Sequence, residues 1–267
     1  MPKKPPFAKG RRLCIFCGGG FVSGEHIWSD WADKFLPTAA NHGRKVFSQT
    51  FGGIPTEVEA DSRQGAVKKR KVKAVCRVCN SGWMSLIESA AKPYLIPMFI
   101  NRPTRLGPDE QRILREWIVL KLMAVEWFKP SSAVFTDDQR TAFYARREMP
   151  EMLHLYVFDC KDGPELEPYR AQSVTVFDAG KTGVDLSKRN AKLVTIVFGY
   201  LLIFAVYSTE VDLEVDLQPP HQAIRLWPVT RDTIVWPPIT PITERGAQYL
   251  FGMLERIHEQ PNVTLIP

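Results

Sequence analysis

The apolar run LVTIVFGYLLIFAVY, residues 193–207, decides the fold. It falls short of the roughly 20 residues that a membrane-spanning helix needs. It is rich in β-branched residues, which favour strands, and Gly199 interrupts it near the middle. The run therefore predicts two buried β-strands that meet near Gly199, and no membrane-spanning segment.

Further strands and helices are predicted around this run. Short apolar runs separated by Gly, Pro and Asp clusters predict strands, and amphipathic runs with acids or a capping residue at their start predict helices. Thr136 and Thr243 stand at capping positions. The second part of the chain, residues 108–267, is therefore predicted to be an α+β domain with a mainly antiparallel sheet. The predicted strands are 153–158, 173–177, 193–198, 201–207 and 223–227, and the predicted helices are 108–128, 137–148 and 244–259.

The basic charge of the chain is concentrated in its first part. The 267 residues have a net charge of +6, with 35 Lys and Arg against 29 Asp and Glu. Residues 1–100 hold 16 of the basic and 7 of the acidic residues, so the excess is N-terminal. Such an excess favours a polyanionic partner, above all nucleic acid, although a merely solvated basic face is the alternative.

Composition and the N-terminal residues set the class and the expected compartment. A hydrophobic content of 45% and a charged content of 24% are typical of a globular protein and exclude a wholly disordered chain. The start, MPKKPPFAKGRRL, is basic but is not followed by the apolar stretch of a secretory signal. We therefore expect a cytoplasmic protein without membrane association.

Two C-x-x-C pairs are the strongest chemical signal. Cys14 and Cys17 form one pair, and Cys76 and Cys79 form the other. Each pair can lie on a tight turn, and two such turns supply the four ligands of a structural Zn²⁺ site. Disulfides, a redox dithiol and buried free thiols are the alternatives. The fifth cysteine, Cys160, lies in a β-type run and is predicted to be a core residue.

The residues beside these pairs resemble a known family. Glu25 and His26 follow the first pair in CIFCGGGFVSGEHIW, and Asn80 follows the second in CRVCNSGWMSLIE. This pattern resembles the zinc-stapled branch of the HNH endonucleases, over about residues 10–92. The resemblance implies a ββα-metal module at residues 1–92, in which a β-hairpin is followed by a helix and the four cysteines staple the fold.

The resemblance also implies roles for single residues. His26 would be the general base that activates water, and Glu25 and Asn80 would bind a catalytic Mg²⁺ or Mn²⁺. A histidine with a pKa near 6.5 can accept a proton at neutral pH, and hard cations prefer oxygen ligands. Glu88 is the remaining strong metal-binding side chain in the predicted helix, either as a third ligand or as a brace for the site. Helix capping is the alternative for Asn80, and a solvated face the alternative for Glu88.

A set of basic side chains near the motif would contact phosphates. The four lysines among them lie in a predicted strand with a basic outer face, directly before Cys76. Such contacts give affinity without sequence readout. The candidate residues are Arg11, Arg12, Lys68, Lys69, Lys71 and Lys73.

Taken together, these features predict a metal-dependent endonuclease that cuts nucleic acid. DNA is the expected substrate because the resembled family mostly cuts DNA. The second part of the chain is expected to regulate, to sense or to form homo-oligomers. The alternative is a non-catalytic zinc module that binds nucleic acid or a protein.

Overall fold

The computed structural model describes most of the chain. The described residues are 13–22, 25–26, 28–36, 47–51, 54–58, 71–166, 168–178, 183, 185, 188–213, 215, 217, 223–253 and 263–266. Within these ranges, the backbone alone is described at residues 25–26, 47–51, 54–58, 71, 178, 251 and 263–266.

This described part contains both strands and helices. The strands are β1 (Glu25–His26), β2 (Phe47–Phe51), β3 (Ile54–Val58), β4 (Lys71–Val72), β5 (Thr104–Leu106), β6 (Leu153–Asp159), β7 (Tyr169–Asp178), β8 (Ala191–Phe198), β9 (Leu201–Ser208), β10 (Ile224–Trp227), β11 (Ile234–Trp236) and β12 (Val263–Ile266). The helices are α1 (Asp30–Asp33), α2 (Arg77–Cys79), α3 (Ser85–Phe99), α4 (Pro108–Val125), α5 (Asp137–Arg146) and α6 (Glu244–Phe251).

The central feature is a six-stranded antiparallel sheet in the order β10-β6-β9-β8-β7-β12. Strands β8 and β9 form its central hairpin, in which Phe198 pairs with Leu201 across the two-residue turn Gly199–Tyr200. The predicted pair of buried strands meeting near Gly199 is thus confirmed. The mixed α+β class with a mainly antiparallel sheet is confirmed as well.

Both faces of this sheet are covered. One face packs against α3, α4 and the residues around the cysteines, and the other packs against α6 and the side chains of Leu213, Val215 and Leu217. Every residue of β6, β8 and β9 is buried. Strands buried on both faces lose the alternation of apolar and polar residues, which explains the continuous apolar run at residues 193–207. Among the helices of the described residues, none is long and apolar enough to cross a membrane.

The helix predictions are largely confirmed. Helix α4 begins at Pro108 as predicted, and Thr136 caps α5 by accepting a hydrogen bond from the Gln139 amide at 3.1 Å. Helix α6 begins at the predicted residue, but Thr243 makes no side-chain capping bond. The Asp162 carboxylate, distant in sequence, accepts from the Glu244 amide at 2.8 Å instead, so the Thr243 cap was wrong. The predicted end at residue 259 lies outside the described residues.

The tip of the central hairpin joins the two parts of the chain. The Gly199 amide donates to the Phe35 carbonyl at 2.6 Å, and the Tyr200 amide donates to the Phe99 carbonyl at 3.0 Å. Gly199 has φ +54°, and a Cβ there would lie 2.1 Å from the Phe99 carbonyl oxygen. Only glycine allows the backbones to approach this closely.

Aromatic rings fill the space behind this tip. Phe198 contacts Trp28, Phe99 and Trp117, with ring centroids 5.4, 4.9 and 5.7 Å apart, respectively. Trp31 stacks on Phe99 at 5.9 Å. The predicted division lay between residues 92 and 108, but α3 runs across residue 92 and one hydrophobic core holds residues from both sides. Trp28 and Trp31 therefore pack in a core that both parts of the chain share.

A buried ion network positions α5 beside the cysteine residues. The Glu126 carboxylate, fully buried, accepts from the Arg140 guanidinium at 2.9 Å and the Tyr207 hydroxyl at 3.0 Å. It also accepts the Val134 amide at 2.7 Å. Burial lowers the pKa of the neighbouring Lys192, whose amino group donates to a backbone carbonyl. Because Arg140, Tyr207 and the Val134 amide all donate to one buried carboxylate, these bonds fix the segment that leads into α5.

A Gly199→Ala substitution should destabilise the whole chain. The new Cβ would collide with the Phe99 carbonyl, and positive φ adds strain, so we expect a loss of at least about 2 kcal/mol. Gly183→Ala is the matched control, because Gly183 also has positive φ but nothing lies within 4 Å of its Cβ position. Thermal unfolding followed by circular dichroism measures both variants. Equal melting temperatures for the two would contradict the tip contact.

Candidate metal centre

The four cysteines of the C-x-x-C pairs form one cluster. Their sulfur atoms all lie within 4.8 Å of one another, and the sulfurs of Cys17 and Cys76 are 3.7 Å apart. Tetrahedral Zn²⁺ with bonds of about 2.3 Å places its sulfur ligands about 3.8 Å apart. All five cysteines are free thiols in this structure, and the Cys17–Cys76 sulfur distance is too long for a disulfide bond. The donor set and spacing thus fit a structural zinc site.

The first cysteine turn is built by glycine and backbone bonds. The Gly18 amide donates to the Cys14 carbonyl at 3.0 Å, and Leu13 pairs with Phe21 across the turn. Gly20 has φ +68°, and a Cβ there would lie 3.0 Å from the Cβ of Cys76. The glycine run therefore lets the first turn close over the second pair.

The second cysteine turn is a helix start. The Cys76 sulfur accepts the Cys79 amide at 3.5 Å, and the Cys76 carbonyl accepts the Asn80 amide at 3.0 Å. Val22 pairs with Cys76 as an isolated antiparallel bridge, which links the two turns. Amide groups aimed at a sulfur stabilise its thiolate form, the form that binds metal.

Burial affects the thiols unequally. Cys14, Cys76 and Cys79 are buried, whereas Cys17 is exposed at the rim. Burial raises the pKa of Cys79 far above its usual value, so without a cation this thiol keeps its proton at neutral pH. For Cys14, burial acts to raise the pKa, but backbone hydrogen bonds outweigh it and lower the pKa. A bound cation favours the thiolate at each position.

Trp83 contacts this site in a way that the sequence analysis did not predict. Its indole N–H is buried and makes no hydrogen bond of normal geometry, but it lies close enough to the Cys79 sulfur to counteract part of the rise that burial causes in the pKa of that thiol. The ring packs against Phe16 at 5.1 Å, and the Arg147 guanidinium lies 4.3 Å from its centroid. The spacing of four residues between Cys79 and Trp83, which puts both on one helix face, was the signal that could have found it.

The Glu25–His26 segment lies in the strand next to this cluster. Strand β1 pairs antiparallel with β4, Glu25 opposite Val72 and His26 opposite Lys71. Val22 and Glu25 are three positions apart in the sequence, whereas their partners Cys76 and Val72 are four positions apart. The pairing register therefore shifts by one residue. The side chains of Glu25 and His26 lie outside the described part. Their backbone therefore stands beside the strand that leads into the second cysteine turn.

Asn80 lies at the start of the helix that follows. It opens a π-helical turn, Asn80–Met84, and is half-buried. Gly82 within this turn has non-helical angles, so the chain kinks before α3 begins. The order of strand, strand, cysteine turn and helix thus places Asn80 directly after the last metal ligand.

Glu88 contacts a residue from the second part of the chain. Its carboxylate accepts a hydrogen bond from the Lys121 amino group, which also donates to the Ser29 hydroxyl at 3.2 Å. Lys121 is buried on α4. Because a cation already occupies the Glu88 carboxylate, the contact favours the bracing role of Glu88 over that of a metal ligand.

Only part of the basic set can be placed. Lys73 is exposed beside the cluster, and Lys71 lies in β4 with its backbone described. The predicted phosphate contacts Arg11, Arg12, Lys68 and Lys69 lie outside the described residues. Comparison of the chain with protein-family models, with curated proteins and with solved structures gives no match.

Purified protein should carry one zinc per chain. Zinc at about 1,000 times its Kd would stabilise the fold by about 4 kcal/mol, so Cys76→Ser should lower both zinc content and melting temperature. Ligand thiols must lose protons, so zinc should be released as the pH falls. Elemental analysis measures the zinc, with Cys160→Ala as control because Cys160 is buried outside the cluster. Full zinc content in Cys76→Ser would contradict the site.

Trp83→Phe should weaken zinc binding while keeping the ring packing. Phenylalanine removes the indole N–H that lies by the Cys79 sulfur, and losing a partner of a metal ligand typically weakens affinity by about 10- to 100-fold. Competition with a chromogenic chelator measures the affinity, and the charge-transfer bands of the Co²⁺ form report the sulfur environment. Trp127→Phe, which removes another buried indole N–H, is the control. Equal affinities for the two variants would exclude this role.

Proposed function

We propose that the chain is a metal-dependent endonuclease of the HNH type, with His26 as its general base. One observation supports this most directly. The Glu25–His26 strand pairs with the strand that runs into Cys76, and the helix beginning after Cys79 carries Asn80. Two paired strands, which α1, β2 and β3 separate along the chain, precede the second cysteine turn and the helix, and strand, strand and helix is the order that the family resemblance implies.

The residues of this arrangement suit phosphodiester hydrolysis. His26 would take a proton from the attacking water, a role for which neutral imidazole is well matched at pH 7. Glu25 and Asn80 offer oxygen atoms that suit Mg²⁺ or Mn²⁺, and such a cation polarises the phosphate and stabilises the leaving oxygen. The zinc site would be structural, because four cysteine ligands leave no position for water or substrate.

The remaining part of the chain is proposed to support the module, and to regulate it or form homo-oligomers. The first part shares its core with the sheet, and Lys121 on α4 holds Glu88 on α3. This ion pair holds the first turn of α3, the helix that follows the turn carrying Asn80. DNA is the proposed substrate.

A second candidate is a zinc module that binds nucleic acid or a protein without cleaving it. The observation in its favour is the exposed apolar surface around the cysteines, where Val78 is 82% and Phe21 60% exposed. Exposed apolar side chains often mark a binding surface. The two candidates differ in whether the bound partner is hydrolysed.

Nicking of supercoiled plasmid separates the candidates. With Mg²⁺ or Mn²⁺, the wild type should nick the plasmid, and His26→Ala should lower the rate by about 10²- to 10⁴-fold, the usual contribution of a general base. The rates are read from gels, and elemental analysis should find unchanged zinc in the variant.

His258→Ala serves as the control, because the resemblance gives that histidine no role. Binding without nicking by the wild type across a range of metals would favour the second candidate. Equal rates for wild type and His26→Ala would contradict the proposed base.

A further inference from the structure

We infer that Arg147, in the second part of the chain, is a positioning residue of the cysteine cluster. Its guanidinium holds the Trp83 ring beside Cys79 and thereby slows the loss of zinc from the cluster. This role goes beyond the proposed function, because it concerns the metal centre alone and does not require nuclease activity.

The Arg147 side chain lies over the Trp83 ring. Its guanidinium carbon is 4.3 Å from the Trp83 centroid and 5.8 Å from the centroid of Phe143 on its own helix. A guanidinium within about 6 Å of a ring face is attracted by the ring, and tryptophan is the strongest partner. The same guanidinium donates to the Phe143 carbonyl at 2.8 Å and to the Tyr144 carbonyl. These bonds fix the cation over the indole.

Two unfavourable features of Arg147 indicate a role beyond ending α5. The residue follows the last residue of α5 with φ +58° and ψ +30°, a left-handed conformation that glycine adopts without strain at helix ends. Burial lowers the pKa of its guanidinium, although the Glu116 charge acts in the opposite direction. A glycine would end the helix with neither feature. The contact that the arginine adds outside α5 is the one with Trp83.

Trp83 connects α5 to the cysteine turns. Its ring packs edge-on against Phe16 of the first cysteine turn at 5.1 Å and against Phe143 of α5 at 6.0 Å. Its indole N–H counteracts part of the rise that burial causes in the pKa of the Cys79 thiol. The ring is therefore held between the first turn and α5. A ring released on the α5 side would no longer keep its N–H by the Cys79 sulfur.

The helix that carries Arg147 is itself fixed to the sheet. Arg140 of α5 donates to the buried Glu126 carboxylate at 2.9 Å, and Tyr207 of β9 donates to the same carboxylate at 3.0 Å. Contacts thus run from the central sheet through Glu126 and α5 to Arg147, and from there to Trp83. Partners that orient a metal ligand tune the affinity of the site. The sheet therefore stabilises the metal centre through this helix.

Zinc release from the full chain tests this role. Zinc-loaded protein is mixed with an excess of a chromogenic chelator, and absorbance gives the release rate. Arg147→Met keeps a long side chain but removes the charge from the ring, so it should raise the rate about three- to tenfold, the range for the loss of one cation–π contact. Arg147→Gly also removes the charge and allows positive φ, so it should raise the rate in the same direction.

A matched control and a spectrum separate this role from a structural one. Arg146→Met changes the neighbouring arginine, whose guanidinium donates to the Glu148 carboxylate at 3.0 Å, and its rate should stay within about twofold of the wild type. In the Co²⁺ form of Arg147→Met, the sulfur-to-cobalt charge-transfer band should move to longer wavelength. A sulfur without a nearby N–H gives up its electrons more easily, which explains this direction.

A double-mutant cycle tests whether Arg147 acts through Trp83. Trp83→Phe already lacks the indole N–H, so adding Arg147→Met to it should change the release rate by less than about twofold. The full effect of Arg147→Met in that background would show that Arg147 acts by another route and would overturn the inference.

Other results would overturn it as well. These are equal release rates for the wild type and Arg147→Met, an equal acceleration by Arg146→Met, and a wild type that binds no zinc. Circular dichroism shows which variants fold, and Arg147→Gly carries the test where Arg147→Met does not fold. A protein that never nicks plasmid but shows the expected release rates would contradict the nuclease proposal and support the role of Arg147.

Discussion

The hydrogen bonds at the tip of the central hairpin are the contact on which the rest of the structure depends. Two successive amides, those of Gly199 and Tyr200, bind the carbonyls of Phe35 and Phe99. One carbonyl belongs to the segment after the first cysteine pair, and the other ends the helix that starts after the second pair. The part of the chain that carries the cysteine cluster is therefore attached to the sheet at two points. Without this attachment Trp28 and Trp31 would lack the rings of Phe198 and Trp117 that cover them.

This attachment has consequences for how the proposed site is held. A cysteine cluster alone fixes the ends of two turns, but it does not fix the direction of the helix that leaves them. Here the far end of α3 binds the hairpin tip, and its near end is held by the Glu88–Lys121 pair. Trp83, between the cysteines and α3, packs against Phe143 of α5. Helix α3, which follows the turn that carries Asn80, is thus held at both ends by contacts with the rest of the chain.

The sequence predicts much of the fold because its strongest signals are local. The run 193–207 predicts the central hairpin, and Thr136 with Gln139 predicts the cap of α5, since both depend on residues near one another. A change in composition near residue 92 does not reveal that Trp28 packs on Phe198, 170 positions away. The short strand β11, which pairs with β5, has too few residues to carry a periodic pattern. The cysteine cluster was predictable because C-x-x-C spacing is itself a local geometry, and the four-residue spacing of Cys79 and Trp83 is a local signal as well.

Glu88 illustrates why ligands are harder to predict than scaffolds. An acidic residue on a helix after Asn80 fits a third metal ligand and a brace equally well by sequence, because either role needs only a carboxylate on that face. The role of Glu88 depends on whether a metal ion or a lysine contacts its carboxylate. Lys121 is buried and supplies that cation from α4, so the Glu88 carboxylate is neutralised where a metal ligand would need its charge free. A catalytic ion at the proposed site would then be held by fewer protein oxygens, and a site with few protein ligands leaves coordination positions for water and phosphate, as Mg²⁺ prefers.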